Sequence, residues 1–278
     1  LLHFVCLNYF REEIMAVSIN ENLCCGDKLC INICPCECIE LNGENKAVLS
    51  RKGSLTCISC GQCIAVCPKG AISLEINDNV EKGESISGCY PSFDTLKNMI
   101  QLRRSVRQYK ESPIPNEDIE KALDIVRFAP TSKNKQYVKW VVINGKEKVR
   151  QLADLVIDFM RSIPSAKRMV ASHENGEDPI FRGATCVIFA YCDKEIGERF
   201  GTIDCTIAAS YLELLLPSMG IGTCWAGFAI GVARQYAPIN EFLGLKDTDI
   251  VEAGLMIGYQ KTKYRNIPPR KKAEILFV

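Results

Sequence analysis

Runs of helical and strand-like periodicity succeed one another along the C-terminal two-thirds of the chain. Leu96 to Leu102 is an apolar-rich segment. Pro115 and Asn116 open a helix whose Ile119, Leu123 and Val126 share one face, and Pro130 follows its end. Tyr137 to Ile143, rich in β-branched and aromatic residues, predicts a buried strand. Helical patterns follow over Lys146 to Met160, Thr202 to Leu216 and Val232 to Leu243, and Thr185 to Tyr191 and Ile250 to Tyr259 predict two further strands. Leu214 to Ala233 has no charged residue and the length of a membrane span. Pro217, Gly220, Gly222, Gly227 and Gly231 interrupt it, which predicts a buried helix end followed by a glycine-rich loop and no membrane partner. With no regular βαβ glycine fingerprint, the expected fold class is α+β rather than a doubly wound sheet.

Upstream the pattern changes. Asn77 to Ser92 is rich in Gly, Ser, Glu and Lys and predicts a linker. The expected organisation is a small cysteine-rich domain over 15–76, a linker over 77–95 and an α+β domain over 96–278. The apolar start, Leu1 to Phe10, lacks the basic region and cleavage site of a signal peptide, and Met15 opens an ordinary protein start after the stretch 1–14. That stretch is therefore set apart as an extension of upstream or cloning origin. The 278 residues, 47% hydrophobic and 24% charged, suit globular domains and exclude a disordered or fibrous chain. A net charge of +1 gives no support for a nucleic-acid or anionic-membrane partner.

Ten of the 16 cysteines fall between Cys24 and Cys67. Thiols clustered at ligand spacing point to metal and to a reducing, cytoplasmic setting rather than to disulfides. The run Cys57, Cys60, Cys63, Cys67, Pro68 has the spacing of the bacterial [4Fe–4S] ferredoxin motif, whose distant fourth cysteine ligates the other cluster. At an offset of 33 residues, Cys24, Asp27, Cys30, Cys34 and Pro35 align with it, as Ile39 and Leu41 align with Ile72 and Leu74. Cys57, Cys60, Cys63 and Cys34 are therefore assigned to one [4Fe–4S] cluster. Cys24, Cys30 and Cys67 belong to a second, [4Fe–4S] or [3Fe–4S]. Asp27 has three readings: it ligates iron through a carboxylate oxygen, it leaves an empty corner and a [3Fe–4S] cluster, or Cys25 replaces it. A zinc ribbon would need paired knuckles that close a tetrahedron and does not predict two runs ending in Cys-Pro. Cys36 and Cys38 have no counterpart in the second repeat and are read as small buried residues.

Arg103, Arg104, Ser105 and Arg107 follow the apolar segment directly. Such a run is commonly a solvated face, but an interposed hydroxyl with Tyr109 two residues on suits a phosphate pocket, since guanidinium groups grip phosphate in forked pairs. Four segments in order complete a pattern: Arg103-Arg-Ser-Val-Arg-Gln-Tyr109, Ala129-Pro-Thr-Ser-Lys-Asn-Lys-Gln136, Gly220-Ile-Gly-Thr-Cys-Trp-Ala-Gly-Phe228, and Ile257-Gly-Tyr259 with Pro269-Arg-Lys271. From about Leu96 to its end the chain resembles the FMN-dependent nitroreductases, and with the cysteine repeat it resembles the ferredoxin-fused nitroreductases of anaerobes.

The resemblance implies a homodimer with FMN at the subunit interface. It implies phosphate, ribityl and pyrimidine-edge contacts from Arg103, Arg104, Ser105, Arg107 and Arg270. Pro130, Thr131, Ser132, Asn134 and Gln136 would form a loop offered by the partner subunit, and Trp225, Ala226 and Gly227 a segment along the flavin ring. Gln136-Tyr137 departs from the family's frequent Gln-Pro-Trp. The implied activity passes electrons from the clusters to FMN and on to a small acceptor such as a nitro compound, quinone or activated alkene, with an external ferredoxin or NAD(P)H as donor. No general acid stands out: His3 lies in the extension and His173 in a polar loop. The alternative is an iron–sulfur electron carrier or redox sensor whose flavin domain docks a partner.

Overall fold

The computed structural model describes residues 17–76, 79–85 and 88–278; the stretch 1–14 lies outside them, as do 77–78 and 86–87 of the expected linker. The chain divides into two units, one to Tyr90 with Lys133–Lys135 grouped with it, the other Pro91–Ser132 and Gln136–Val278.

The first unit runs β1 (Val17–Ile19), α1 (Leu29–Ile33), β2 (Ile39–Leu41), β3 (Ala47–Leu49), α2 (Gly53–Thr56), α3 (Gln62–Val66), β4 (Ile72–Ile76) and β5 (Asn79–Glu81). β1, β4 and β5 form one antiparallel sheet in that order, and β2 and β3 pair separately. The buried apolar core consists of Val17, Cys30, Cys38, Ile39, Ala47, Ala71, Ile72 and Leu74. A core so small seldom holds a domain of this size without a staple. β5 lies within the stretch expected to be linker.

The sequence repeat is also a backbone repeat. α1 and α3 are five residues each, both preceded by a left-handed residue, Lys28 or Gly61, and both ended by an extended cysteine, Cys34 or Cys67. Left-handed backbone recurs at the same offset at Gly26 and Ser59 and at Glu37 and Gly70. Glycine occupies one member of each pair, where the conformation is free of steric cost.

The second unit runs α4 (Phe93–Leu102), α5 (Asn116–Val126), β6 (Lys139–Asn144), α6 (Lys146–Met160), α7 (Lys167–Glu174), β7 (Cys186–Asp193), α8 (Lys194–Leu215), β8 (Ile221–Trp225), α9 (Gly227–Ala233), α10 (Ala237–Leu243) and β9 (Asp249–Tyr259). Its sheet is wholly antiparallel, in the order β6-β7-β9-β8. Val187 and Phe189 of β7 and Met256 of β9 pack into a core with α6, α9 and α10. Cys186, Ile188, Leu255 and Ile257 pack the opposite way with α5 and α8. A sheet covered on both faces reads as continuous apolar runs, which is why β7 and β9 stand out in the sequence. The α+β expectation holds.

The structure differs from the sequence reading in the glycine-rich stretch, where a strand and a helix replace the expected loop. Gly220 ends a 3₁₀ turn at φ 76°, and Gly222 lies inside β8. A Cβ on Gly222 would stand 2.8 Å from Cγ2 of Val106, so glycine here marks close packing in a strand rather than a turn. α8 begins eight residues before the expected Thr202 and is capped by the Asp193 carboxylate on Glu195 N–H. The helix expected over Val232 to Leu243 is two helices, the second with proline in its first turn. α7 has no counterpart in the sequence reading, and His173, expected in a polar loop, lies on this helix. Among the described residues no helix is long and apolar enough to cross a membrane.

Candidate functional site

In the first unit the cysteines surround two separate voids, and the fold distributes them across the repeat. Cys34, Cys57, Cys60 and Cys63 line one void, together with Cys36 and Cys38. Cys24, Cys25, Asp27, Cys30 and Cys67 line the other. Each run thus contributes its last cysteine to the void of the other run. Among the described residues no three His, Cys, Asp or Glu side chains converge closely enough for a single metal ion. Thiols spaced around a void suit the corners of a polynuclear cluster.

Backbone N–H groups point at the sulfurs in a repeated arrangement. Gly26 donates to Cys24 Sγ (3.4 Å) and Ser59 to Cys57 Sγ (3.4 Å). Cys38 donates to Cys34 Sγ and Ala71 to Cys67 Sγ, both at 3.3 Å. Ala47 adds a second N–H to Cys24 Sγ at 3.3 Å. Such donors stabilise thiolate charge and tune the potential of a bound cluster. The residues present therefore fit iron–sulfur clusters. Burial pushes the Cys63 thiol up to about 11 and that of Cys38 to about 12. Cys63 must therefore lose its proton when metal binds.

Asp27 stands at the corner where the other repeat has Cys60. Its Oδ1 accepts from Leu29 N–H at 3.1 Å, and its Oδ2 accepts from the Cys25 thiol at 3.3 Å. Both side chains line the same void, so the fold offers this corner an oxygen and a sulfur together. Cys38 is buried, as expected. That Cys36 and Cys38 also line the first void was not legible, because their repeat counterparts are Lys69 and Ala71.

In the second unit the arginine segment is fixed to one sheet edge. Ser105 pairs with Thr223 of β8, with Val106 N–H donating to Thr223 O at 2.8 Å. Four residues on, Tyr109 is buried and pairs with Gln260, and Lys110 N–H donates to Tyr259 O at 2.7 Å. The Tyr109 hydroxyl donates to Val106 O (2.6 Å) and Met256 O (3.2 Å). Burial holds its pKa far above the usual phenol range.

With Val106 and Tyr109 buried, Arg103, Arg104 and Ser105 are half-buried and Arg107 is exposed. Arg103 Nη1 donates to Glu213 Oε1 of α8 at 3.0 Å. Arg104 Nε donates to Leu102 O at 3.4 Å and Arg107 Nη1 to Ser105 O at 3.5 Å. Thr223 Oγ1, in the strand paired with Ser105, is buried without a hydrogen-bond partner. Three guanidinium groups and a hydroxyl on one short segment, beside an orphaned hydroxyl, fit an anionic ligand rich in acceptors.

The Pro130–Gln136 segment forms a tight loop whose Ser132–Asn134 portion is a 3₁₀ turn. Thr131 Oγ1 accepts from Gln136 N–H at 2.9 Å, and Asp204 of α8 accepts from Ser132 N–H at 2.9 Å. Trp225 ends β8 half-buried, Ala226 is buried with its N–H on Gly254 O at 3.0 Å, and Gly227 begins α9. Arg270 lies exposed in the irregular tail, its Nη1 on Pro269 O at 3.1 Å. No hydrogen bond or ion pair among the described residues joins it to Arg103–Arg107. Sequence reading missed Asp204 and Glu213. The available signal was a lone acidic residue within an apolar helical run, as each is.

Comparisons with known proteins match two separate stretches of the chain. The sequence model described as the nitroreductase family matches residues 100–259, and that of a 4Fe-4S binding domain matches 55–73. A protein of Archaeoglobus fulgidus, provisionally named NADH dehydrogenase/NAD(P)H nitroreductase, is 26% identical over 166 residues, covering 59% of this chain and 84% of its own. An uncharacterized ferredoxin of Methanocaldococcus jannaschii is 43% identical over 63 residues, covering 22% of this chain and 97% of its own. Among solved structures, a Bacteroides fragilis nitroreductase with bound FMN superposes with a TM-score of 0.57 at 20% identity, covering 67% of this chain and all of that one (100%). That last likeness establishes the fold.

Proposed function

Because the chain belongs to the nitroreductase family and carries a ferredoxin-like segment ahead of the family's domain, we propose that it is a flavin oxidoreductase with an iron–sulfur electron input. Bound in their sites, the clusters would supply single electrons and FMN would convert them into two-electron delivery to a small oxidised acceptor. Nitro compounds, quinones and activated alkenes are the acceptor classes, and a ferredoxin or NAD(P)H is the external donor. The site is assigned to the cytoplasm.

Arg103, Arg104, Ser105 and Arg107 would hold the FMN phosphate, ribityl chain and pyrimidine edge, with Arg270 added from the tail. Arg107, the exposed member of the segment, would balance negative charge on the reduced ring. Pro130, Thr131, Ser132, Asn134 and Gln136 would cover the ring from the partner subunit, and Trp225, Ala226 and Gly227 would lie along it. Cys57, Cys60, Cys63 and Cys34 would hold one [4Fe–4S] cluster, and Cys24, Cys30 and Cys67 the other, with Asp27 or Cys25 at its fourth corner. A homodimer is supported by α4, which buries none of its residues and leaves Phe93, Ile100 and Leu102 more than half exposed, at 79%, 60% and 64%.

The observation that carries this reading is the fixing of the arginine segment to β8 through Ser105 and Thr223, inside the region that matches the family. Anaerobic purification with FMN, iron and sulfide counts, followed by turnover of an acceptor panel, tests it. FMN near one per chain and FMN-dependent turnover are expected. Full activity in protein without FMN would overturn it.

A further inference from the structure

Asp204 is 3% exposed, and its Oδ2 accepts two hydrogen bonds, from Ser132 N–H at 2.9 Å and from the Tyr137 hydroxyl at 2.7 Å. The two donors stand on either side of a strained turn. Lys133, Asn134 and Gln136 have φ of 52°, 54° and 49°, left-handed values that non-glycine residues keep only where their surroundings over-determine them. Within the turn, Thr131 Oγ1 holds Gln136 N–H.

The next residue of α8, Cys205, is fully buried with Cys192, Ala190, Ala209 and Ala253 in a small cluster against which both Tyr137 and Trp225 pack. One turn of α8 therefore supports the end of the loop and the tryptophan at the end of β8. A buried carboxylate is costly unless hydrogen bonds satisfy it, so its removal leaves its partners without the group around which they are arranged.

The geometry points to Asp204 as a positioning residue that holds the Pro130–Gln136 loop in its strained, flavin-receiving shape, an inference that rests on the FMN reading above. Asp204 acts through the loop and touches no reacting atom. Asparagine at this position keeps an acceptor oxygen for Ser132 and Tyr137, whereas alanine keeps none. Tyr137→Phe removes one of the two bonds and leaves the carboxylate in place.

The test uses full-length, cluster-loaded protein and reads FMN affinity by titration into flavin-free protein, amide exchange at Ser132 and Gln136, and iron content. Asp204→Ala is expected to weaken FMN binding about tenfold or more, the scale of one lost hydrogen bond to a charged group, with faster exchange at both amides and unchanged iron. Asp204→Asn should restore most of the affinity, and Tyr137→Phe should lie between. Wild-type affinity in Asp204→Ala, or failure of Asp204→Asn to rescue, would overturn the assignment. If Asp204→Ala does not fold, Tyr137→Phe decides: unchanged affinity and exchange would overturn it. A wild-type protein that binds no FMN sinks the flavin reading instead, a result distinct from one in which wild type and variant bind equally.

Discussion

The carboxylate of Glu213 accepts a hydrogen bond from Nη1 of Arg103 at 3.0 Å, joining the last turn of α8 to the first arginine of the segment proposed to hold FMN. The side chains are 11% and 27% exposed, so the pair restricts where the guanidinium can point. Arg103→Ala leaves the carboxylate withdrawn from water without its partner, at a cost of about 1–3 kcal/mol. The double variant Arg103→Ala/Glu213→Ala should recover most of that loss without recovering FMN. Thermal melts and flavin content of the double-mutant cycle check both halves.

Gly222 admits Val106 against β8, and the segment carrying Ser105 depends on that approach. A Cβ there would meet Cγ2 at 2.8 Å and Cβ and Cγ1 at 3.1 Å, atoms fixed close to the backbone of Val106. Gly222→Ala is expected to cost about 1–3 kcal/mol by overpacking and to weaken FMN retention. Gly231→Ala, in α9 with no atom near the added carbon, should do neither. Denaturant unfolding and FMN titration of the two variants make the comparison.

The exchange of cysteines across the repeat has a consequence opposite to the order of the motif. On the proposed ligation, Cys34→Ser should remove the cluster assigned to Cys57, Cys60 and Cys63 and spare the one assigned to the void beside Asp27. Cys67→Ser should do the reverse. Iron counts and anaerobic EPR on the two variants distinguish this from ligation within each run, which predicts the opposite assignment.

At Asp27 a carboxylate replaces the thiolate of the other repeat, and oxygen is a harder ligand for iron. Asp27→Cys is expected to give a complete [4Fe–4S] cluster that survives exposure to air longer than the wild type's. In the wild-type background, Cys25→Ala should lower iron content if sulfur fills the corner and leave it unchanged if Asp27 does. Iron and sulfide counts after timed air exposure read both variants.

Elements whose periodicity answers to one buried face were legible in the sequence. α5 showed its Ile119 and Val126 stripe, and β7 and β9 their apolar runs. β8 was hidden because Gly222, placed for contact with Val106, looks like a breaker when Val106 is out of view. The grouping of the sulfurs around two voids was legible from spacing, since the repeat places the last cysteine of each run beside the other run. Glu213 and Asp204 were not, because a carboxylate in an apolar helix declares its partner only when Arg103, Ser132 and Tyr137 are folded against it. Cys36 and Cys38 escaped for the same reason: the void that they line is formed by residues from both repeats.

Electron flow from the cysteine unit to the flavin, as proposed above, is read by rapid mixing of the anaerobic protein with a reduced ferredoxin. Flavin reduction, followed by loss of its visible absorption, is compared in wild type and Cys60→Ser at equal FMN content. Reduction in Cys60→Ser should slow by about tenfold or more, the scale of a barrier raised by about 1.4 kcal/mol. Equal rates in the two proteins would contradict the proposal.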